Sequence, residues 1–318
     1  MVVSFVIPLY NCLPLTQAML ASLRTSLPAG LEHEIIFVDD GSTDGTRDWL
    51  QSLRRSNSLG SSVHVVLNER NLGYAGANNR GGAVARGEFL GLLNNDLILA
   101  PGWLEPMLAL QQRLGLRAGL VGNVQRNART GAIDHAGIFI NHRGKPEHNP
   151  ALPLGLRFRS GHTWRRVAAV TGACALVRRE LFTRLGGFDE GFANGGEDVD
   201  FCLRSHAAGC LSAVALRSVV RHHISASPGR KLRDEQNSRR LTLRWRDELV
   251  RLAAADSFWS QRYLESQWTS PRDPADYALG LKALGHCLHL RRDSPAAYAG
   301  MQAAITEELA RWDRILGP

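Results

Sequence analysis

An apolar run, Phe89-Leu90-Gly91-Leu92-Leu93, ends in Asn94-Asn95-Asp96. The run reads as a buried β-strand, and a lone carboxylate behind two amides is poor chemistry for a core. Ligands of open α/β sheets bind at the carboxyl ends of the strands, and a charged oxygen there suits a hard metal ion carrying a phosphate. Asn and Asp also favour turns, so a plain strand-to-loop turn is the competing reading. A second acidic cluster, Asp39-Asp40-Gly41-Ser42-Thr43-Asp44-Gly45-Thr46, follows another strand-like run. Two carboxylates, a glycine turn and a Ser/Thr helix cap describe a ligand-facing loop with a helix N-terminus behind it. Asp39 or Asp40 can accept the imide N–H of uracil or thymine, and the helix N-terminus suits phosphate. Capping explains Ser42 or Thr43 but not the two aspartates. A third segment runs from Asn68 through Asn71, Gly73, Asn78 and Arg80. Its small residues let backbone approach a ligand or a neighbouring strand closely. Asn78 and Arg80 are then within reach of a base or diphosphate; a helix packed tightly on a sheet explains the glycines equally well.

The elements that must position these loops alternate in a βαβα rhythm over the first 125 residues, which predicts a mainly parallel sheet with helices on both faces. Strands are expected at 2–8, 34–38, 63–67, 89–93 and 118–124, and helices at 13–25, 43–55, 74–85 and 103–114. The middle changes character. Residues 132–141 read as strand and turn, and 142–166 as an irregular Pro-, Gly-, Arg- and His-rich segment of the length that forms lids. Order resumes at 168–177, with helices at 179–185 and 199–208 and a strand at 212–216. Beyond about residue 230 the pattern is helical, punctuated by Pro271, Pro274 and Pro295. This divides the chain into a catalytic domain over 1–228 and a helical C-terminal extension over 229–318.

Composition sets the outer limits. Apolar content of 44% and charged content of 21% are those of an ordinary globular chain. Apolar runs fall short of the roughly 18–20 residues that span a bilayer, and Met1 to Pro8 reads as a first strand rather than a signal peptide. Cys12, Cys174, Cys202, Cys210 and Cys287 are scattered without a CxxC pair, which argues against a disulfide framework or zinc site and fits a reducing cytoplasm. The net charge of +8 is compatible with nucleic acid, an anionic membrane surface or a phosphorylated ligand. Its late arginines lack aromatic interleaving and nucleic-acid motifs, so a solvated helix face is the preferred reading, with no nucleic-acid partner.

Four segments, Ile7-Pro8-Leu9-Tyr10-Asn11, Val38-Asp39-Asp40-Gly41-Ser42-Thr43-Asp44, Asn71-Leu72-Gly73-Tyr74 and Leu93-Asn94-Asn95-Asp96, stand in the order and spacing of family 2 glycosyltransferases. The chain resembles that family over roughly residues 2–228. The resemblance implies an α/β GT-A fold, Rossmann-like and nucleotide-binding, and an inverting hexosyl- or deoxyhexosyltransferase. Residues 1–125 would bind a UDP- or dTDP-sugar donor through Pro8, Tyr10, Asn11, Asp39, Asp40, Asn71, Gly73, Asn78, Arg80, Asn94 and Asn95. Residues 126–228 would bind the acceptor, a glycan, lipid-linked or protein hydroxyl. In Gly195-Gly196-Glu197-Asp198-Val199-Asp200, the resemblance makes Asp198 the general base and Glu197 its acceptor-positioning neighbour. Helix capping by acidic residues is the competing account.

Downstream lies Val219-Val220-Arg221-His222-His223-Ile224-Ser225-Ala226-Ser227. Related enzymes carry here a histidine that shares Mg²⁺ or Mn²⁺ with the strand-end aspartate; His222 matches the spacing to Ser227 better than His223. His135 reads either as acceptor-side or as structural. The family often has Asp-x-Asp where this chain has Asn94-Asn95-Asp96, an Asn-Asn-Asp form similar to that of rhamnosyltransferase-like bacterial members. An amide oxygen is a weaker ligand than a carboxylate, so metal affinity should be modest without the nucleotide diphosphate. A sugar nucleotidyltransferase would want a basic, Gly-rich loop where Pro8-Leu9-Tyr10-Asn11 stands. A non-catalytic sugar-nucleotide or glycan-binding module would not need Glu197-Asp198. Peripheral contact with a membrane is compatible with the composition.

Overall fold

The computed structural model describes residues 2–56, 62–149, 163–223, 233–258, 260–261, 274–287 and 294–317. In chain order, Val2–Leu9 (β1), Leu13–Ser26 (α1), Glu32–Asp39 (β2), Thr46–Ser56 (α2), Ser62–Leu67 (β3), Gly73–Val84 (α3) and Phe89–Leu93 (β4) alternate strand and helix. These four strands pair in parallel in the spatial order β4-β1-β2-β3. A parallel array sends every carboxyl end to one edge of the sheet. The loops after Leu9, Asp39, Leu67 and Leu93 therefore share that edge.

The second half of the sheet is mixed. It contains Leu97–Ile98 (β5), Glu105–Leu114 (α4), Ala118–Asn127 (β6), Ile133–His135 (β7), Ile138–Ile140 (β8), Pro146–His148 (β9), Trp164–Val167 (β10), Cys174–Arg178 (β11), Arg179–Arg184 (α5), Glu197–Ala207 (α6) and Leu211–His222 (β12). Strand β11 runs antiparallel between β4 and β6, with Cys174 opposite Leu93 and Leu176 opposite both Gly91 and Val121. The sheet continues through β12, parallel to β6, to the antiparallel β10. Both β8 and β9 stand apart as a two-stranded sheet.

Local physics explains where these elements differ from the sequence expectation. Strand β12 extends to His222 rather than ending at Leu216, because a register irregularity between Ala215 and Val219 interrupts the apolar pattern. Ser218 at that interruption is buried and donates its hydroxyl to the Trp103 carbonyl. Helix α4 begins at Glu105, with Pro106 in its first turn where a missing N–H costs nothing. Trp103, expected inside that helix, enters the core instead, its indole N–H 3.2 Å from Ser26 Oγ. Two short strands, β9 and β10, order the ends of the segment expected to be irregular; 150–162, the body of the expected lid, lies outside the described residues.

The core under the first strands is built from Phe5, Ile7, Phe37, Phe89, Leu93 and Trp103. Helix α3 approaches β1 so closely that a Cβ on Gly81 would lie 2.3 Å from Val6 Cγ1. The small residues of α3 thus serve packing on the sheet, as one of the two sequence readings has it.

The chain divides into two compact units, Met1–Ile138 with His148–Arg233, and Phe139–Glu147 with Asp234–Pro318. The second comprises Asp234–Asp256 (α7), Pro274–Cys287 (α8) and Pro295–Leu316 (α9), joined by a segment the sequence reading grouped with the acceptor half. Within this unit Lys145 Nζ lies 2.6 Å from Glu308, and Arg311 2.7 Å from the same carboxylate. Lys145 also stands over the Trp312 ring at 5.0 Å. No described helix is long and apolar enough to cross a membrane.

Gly81→Ala tests the α3 contact. A better helix former gains about 1 kcal/mol, but overpacking a closed core costs about 1–3 kcal/mol, and at 2.3 Å the clash dominates. Thermal or urea unfolding should show a lower midpoint for Gly81→Ala; an unchanged or raised midpoint would mean that α3 has room.

Candidate active site

The loops at the carboxyl edge are fastened to one another by side chains. Asn11 and Cys12 adopt left-handed φ angles of 56° and 61°, a conformation Asn tolerates better than most residues. The turn lets the Asn11 N–H donate to Ser42 Oγ at 2.9 Å, while Asn11 Oδ1 accepts the Thr43 N–H at 2.7 Å. Asp44 accepts from the Leu13 N–H and from the Thr46 hydroxyl and N–H. Burial alone would raise the Asp44 carboxyl, but these donors outweigh it and hold it below its ordinary range. Asp44 therefore anchors the starts of both α1 and α2, so α2 begins at Thr46 rather than Thr43; Ser42 is an acceptor for the neighbouring loop, not the expected helix cap.

Asp39 is fully buried. Its oxygens accept the Ser42 N–H at 3.2 Å and Arg47 Nε–H at 2.6 Å. Asp40 is also buried and accepts Asn68 Nδ2–H at 2.8 Å and the Leu72 and Gly73 N–H groups, each at 2.9 Å. A buried carboxylate must be satisfied by hydrogen bonds or pairing, and both aspartates meet that demand by tying loops together. Their first duty is organisational, which the pair of acids in sequence did not reveal.

Tyr10 and Asn71 are exposed at this edge, and Pro8 is partly so. Asn71 Oδ1 accepts the Gly73 N–H at 3.0 Å. Arg80 is exposed on α3, whereas Asn78 is fully buried and donates to the Tyr74 carbonyl at 2.9 Å. Enclosure inside the helix packing corrects the expectation that Asn78 reaches a base or diphosphate.

The strand-end tripeptide divides its work. Asn94 continues the sheet ladder through its N–H to the Ala173 carbonyl at 2.8 Å. Asn95 donates its side-chain amide to Thr16 Oγ1 at 3.0 Å. Asp96 is left to face across the sheet, where its Oδ1 lies 3.0 Å from His222 Nε2. The two residues are 126 positions apart, and the short β5 brings them together by pairing Leu97 with His222 and Ile98 with Arg221. Successive side chains of a strand point to opposite faces. His222 is accordingly buried while His223 is exposed and contributes its main-chain N–H to the Asp96 carbonyl at 3.1 Å. Ser227, the anchor of the sequence comparison, lies outside the described residues.

Asp96 Oδ1 is sealed from solvent and receives no well-directed hydrogen bond. A buried carboxylate oxygen facing an imidazole nitrogen at 3.0 Å is a donor set that fits a divalent cation. Among the described residues no group of three or more His, Cys, Asp or Glu side chains converges.

In the turn that precedes β11, Gly172 donates its N–H to Asp198 Oδ2 at 3.0 Å. Asp198 opens α6 behind Gly196, whose φ of 95° makes the sharp entry to the helix. Its Oδ1 accepts the Val199 N–H at 2.8 Å. Two main-chain donors thus orient a half-buried carboxylate with lone pairs to spare. Glu197 is buried and accepts the Gly195 N–H at 2.7 Å, closing the loop onto the helix. Asp200 pairs with Arg204 at 2.7 Å within α6.

The contacts of Tyr74 escaped the sequence reading, and His135, read there as acceptor-side or structural, is now placed. Tyr74, quoted there only within a motif, donates its hydroxyl to the Gly172 carbonyl at 2.7 Å, and its N–H goes to Asn194 Oδ1 at 2.8 Å. An aromatic hydroxyl flanked by small residues was the available signal. His135 is fully buried, accepts the Gly137 N–H at Nε2 and meets the edge of His148 at 4.8 Å. Burial first, then the neighbouring His148, Arg165 and His222, holds its pKa well below the usual histidine value. Burial likewise pushes the Cys174 and Cys202 thiols up to about 12, so neither supplies a thiolate nucleophile.

Comparison with known proteins agrees with this architecture. The glycosyl transferase family 2 model matches residues 4–186. An uncharacterized protein of Sinorhizobium fredii is 33% identical over 248 residues, which cover 74% of this chain and 26% of that protein; the chain thus spans about a quarter of that relative's length. The N-acetylglucosaminyl-diphospho-decaprenol L-rhamnosyltransferase of Mycobacterium tuberculosis is 29% identical over 249 residues, covering 70% of this chain and 76% of the enzyme. Among solved structures, GalNAc-T7 with UDP, GalNAc and Mn²⁺ superposes with a TM-score of 0.63 at 19% identity, over 90% of this chain and 55% of the other. The family model covers more than half of the sequence, including the loops that form the carboxyl edge, and the chain belongs to glycosyl transferase family 2.

Proposed function

We propose that this chain transfers a sugar from a nucleotide-diphosphate sugar to an acceptor hydroxyl with inversion at the anomeric carbon, in bacterial glycan or glycoconjugate assembly. The observation that carries the reading is the buried meeting of Asp96 Oδ1 and His222 Nε2 at 3.0 Å on the edge where the donor-side loops gather. Asp96 and His222 would hold Mg²⁺ or Mn²⁺, which when bound neutralises charge on the leaving diphosphate. The edge formed by Tyr10, Asn11 and Asn71, braced from beneath by Asp39 and Asp40, would receive a uracil or thymine nucleotide. Asn94 and Asn95 follow β4 at the same edge, and Arg80 is exposed on α3. The mycobacterial relative, an N-acetylglucosaminyl-diphospho-decaprenol L-rhamnosyltransferase by name, makes a lipid-diphosphate-linked sugar the first acceptor to try.

Asp198 takes the proton of the acceptor hydroxyl as that oxygen attacks the anomeric carbon. The bond from that carbon to the diphosphate oxygen breaks, and its electron pair leaves with the nucleotide. The Gly172 and Val199 N–H groups fix the carboxylate for this role. General-base assistance of this kind contributes about 10²–10⁴-fold. A sugar nucleotidyltransferase would instead consume a nucleoside triphosphate, and a binding module would bind donor without turnover.

Two measurements separate these readings. Calorimetric titration of UDP- and dTDP-sugars with and without Mn²⁺ should show metal-dependent binding that Asp96→Ala and His222→Ala each weaken by roughly tenfold or more, on the scale of one lost charged contact. Metal-independent binding that survives Asp96→Ala would remove that pair from the donor site. Asp198→Asn should keep donor affinity yet lower turnover by about 10²–10⁴-fold, with the product of the unmodified protein inverted by NMR. Wild-type turnover in Asp198→Asn, or a retained anomer, would overturn the single-displacement mechanism.

A further inference from the structure

We infer that Tyr74 is a positioning residue for the reaction, holding the base Asp198 in place through the backbone of Gly172; this rests on the assignment of Asp198 as the base. The Tyr74 hydroxyl donates to the Gly172 carbonyl at 2.7 Å, and the N–H of the same residue donates to Asp198 Oδ2 at 3.0 Å. Gly172 is thus gripped at both ends, by the phenol on its acceptor and by the carboxylate on its donor. The N–H belongs to the 171–172 peptide and the carbonyl to the 172–173 peptide, so the two hydrogen bonds hold the backbone on both sides of the Gly172 Cα and keep the N–H directed at Asp198. The fit leaves no room for another residue, since a Cβ on Gly172 would lie 2.4 Å from the phenol oxygen.

Tyr74 is held as firmly as the residue it holds. Its ring packs against Phe188 with centroids 5.7 Å apart, and its N–H is fixed by Asn194. Asn194 itself has a left-handed φ of 55° and lies in the loop that leads into α6. The residues just before Tyr74 are bound to Asp40 through the Leu72 and Gly73 N–H groups. One helix start therefore connects the donor-side loop, the entry to the base helix and the peptide that orients the base. Burial of the phenol end, reinforced by Asp198 and Glu197, pushes its pKa well above the ordinary tyrosine value, so the hydroxyl remains a hydrogen-bond donor throughout the working range.

Tyr74→Phe deletes the hydroxyl and keeps the ring. A misplacement of about 1 Å at a reacting group can cost about 10²-fold, so kcat should fall roughly 10- to 100-fold. The KM and dissociation constant for the nucleotide-sugar donor should stay within about twofold, as expected when only an interaction of the transition state is lost. A residue that merely supported the fold would lower active-enzyme concentration and melting temperature without this split. Asp198→Asn is measured in parallel. Turnover lost in Asp198→Asn but unchanged in Tyr74→Phe would overturn the positioning role and leave the base standing. Turnover retained in Asp198→Asn would overturn both. If Tyr74→Phe unfolds, Gly172→Ala pushes on the same phenol oxygen from the other side. A fall in kcat at unchanged donor affinity would then support the inference, and an unchanged kcat would overturn it.

Discussion

The structure depends on the antiparallel seat of Cys174–Arg178 between Phe89–Leu93 and Ala118–Asn127. A sheet made only of parallel strands would send every carboxyl end to the active edge and every amino end away from it. One reversed strand brings its own start to that edge instead. Asn94 extends the ladder to Ala173, so the loop bearing Asp96 and the peptide that orients Asp198 hang from neighbouring strands. Asp96 and Asp198, the candidate metal ligand and the candidate base, are thus both placed from this one pair of strands, Asp198 through the Gly172 N–H.

Around that frame the carboxylates divide into two groups. Asp39, Asp40 and Asp44 accept hydrogen bonds from one loop while belonging to another, and hydrogen bonds to ionised groups are stronger than neutral ones. They replace regular secondary structure as the means of ordering the ligand-facing loops. Asp96 has been spared that duty, since Asn94 and Asn95 hold the loop through an amide N–H and a side-chain amide. Two neutral residues ahead of one acid leave a single carboxylate oxygen sealed, unsatisfied and aimed at His222. In Asn94-Asn95-Asp96 the two amide residues thus hold the loop while the acid meets His222.

Much of this was legible in the residues. Continuous apolar runs and helically spaced apolar residues located the first four strands and their helices, because strands covered on both faces carry uninterrupted apolar residues and helices repeat with their own period. The ordered loop motifs follow Leu9, Asp39, Leu67 and Leu93 and so all fall on the one carboxyl edge. The patterns failed where tertiary contacts replaced periodicity. Ser218 interrupts the apolar run of the last strand because its hydroxyl satisfies the Trp103 carbonyl, so His222 looked like a loop residue. Asp39 and Asp40 looked like free ligands because nothing local shows Arg47, Asn68 or the Leu72 N–H arriving from outside the acidic pair. Asn78 looked like a surface contact because burial of a polar helix residue depends on what packs over it.

By itself the sequence determined the succession of strands and helices, the glycine at position 81 that lets α3 close on the sheet, and the kinds of chemical group available at each loop. These follow from local periodicity, side-chain volume and acid–base character, all written in neighbouring residues. Tertiary structure decided which groups meet. Asp96 and His222 are brought together over 126 positions by β5 pairing with β12, and Tyr74 reaches Gly172 over 98 positions. Those encounters depend on sheet order and strand direction, which no short stretch of chain encodes. They leave one carboxylate facing an imidazole and orient another by a peptide held from both sides.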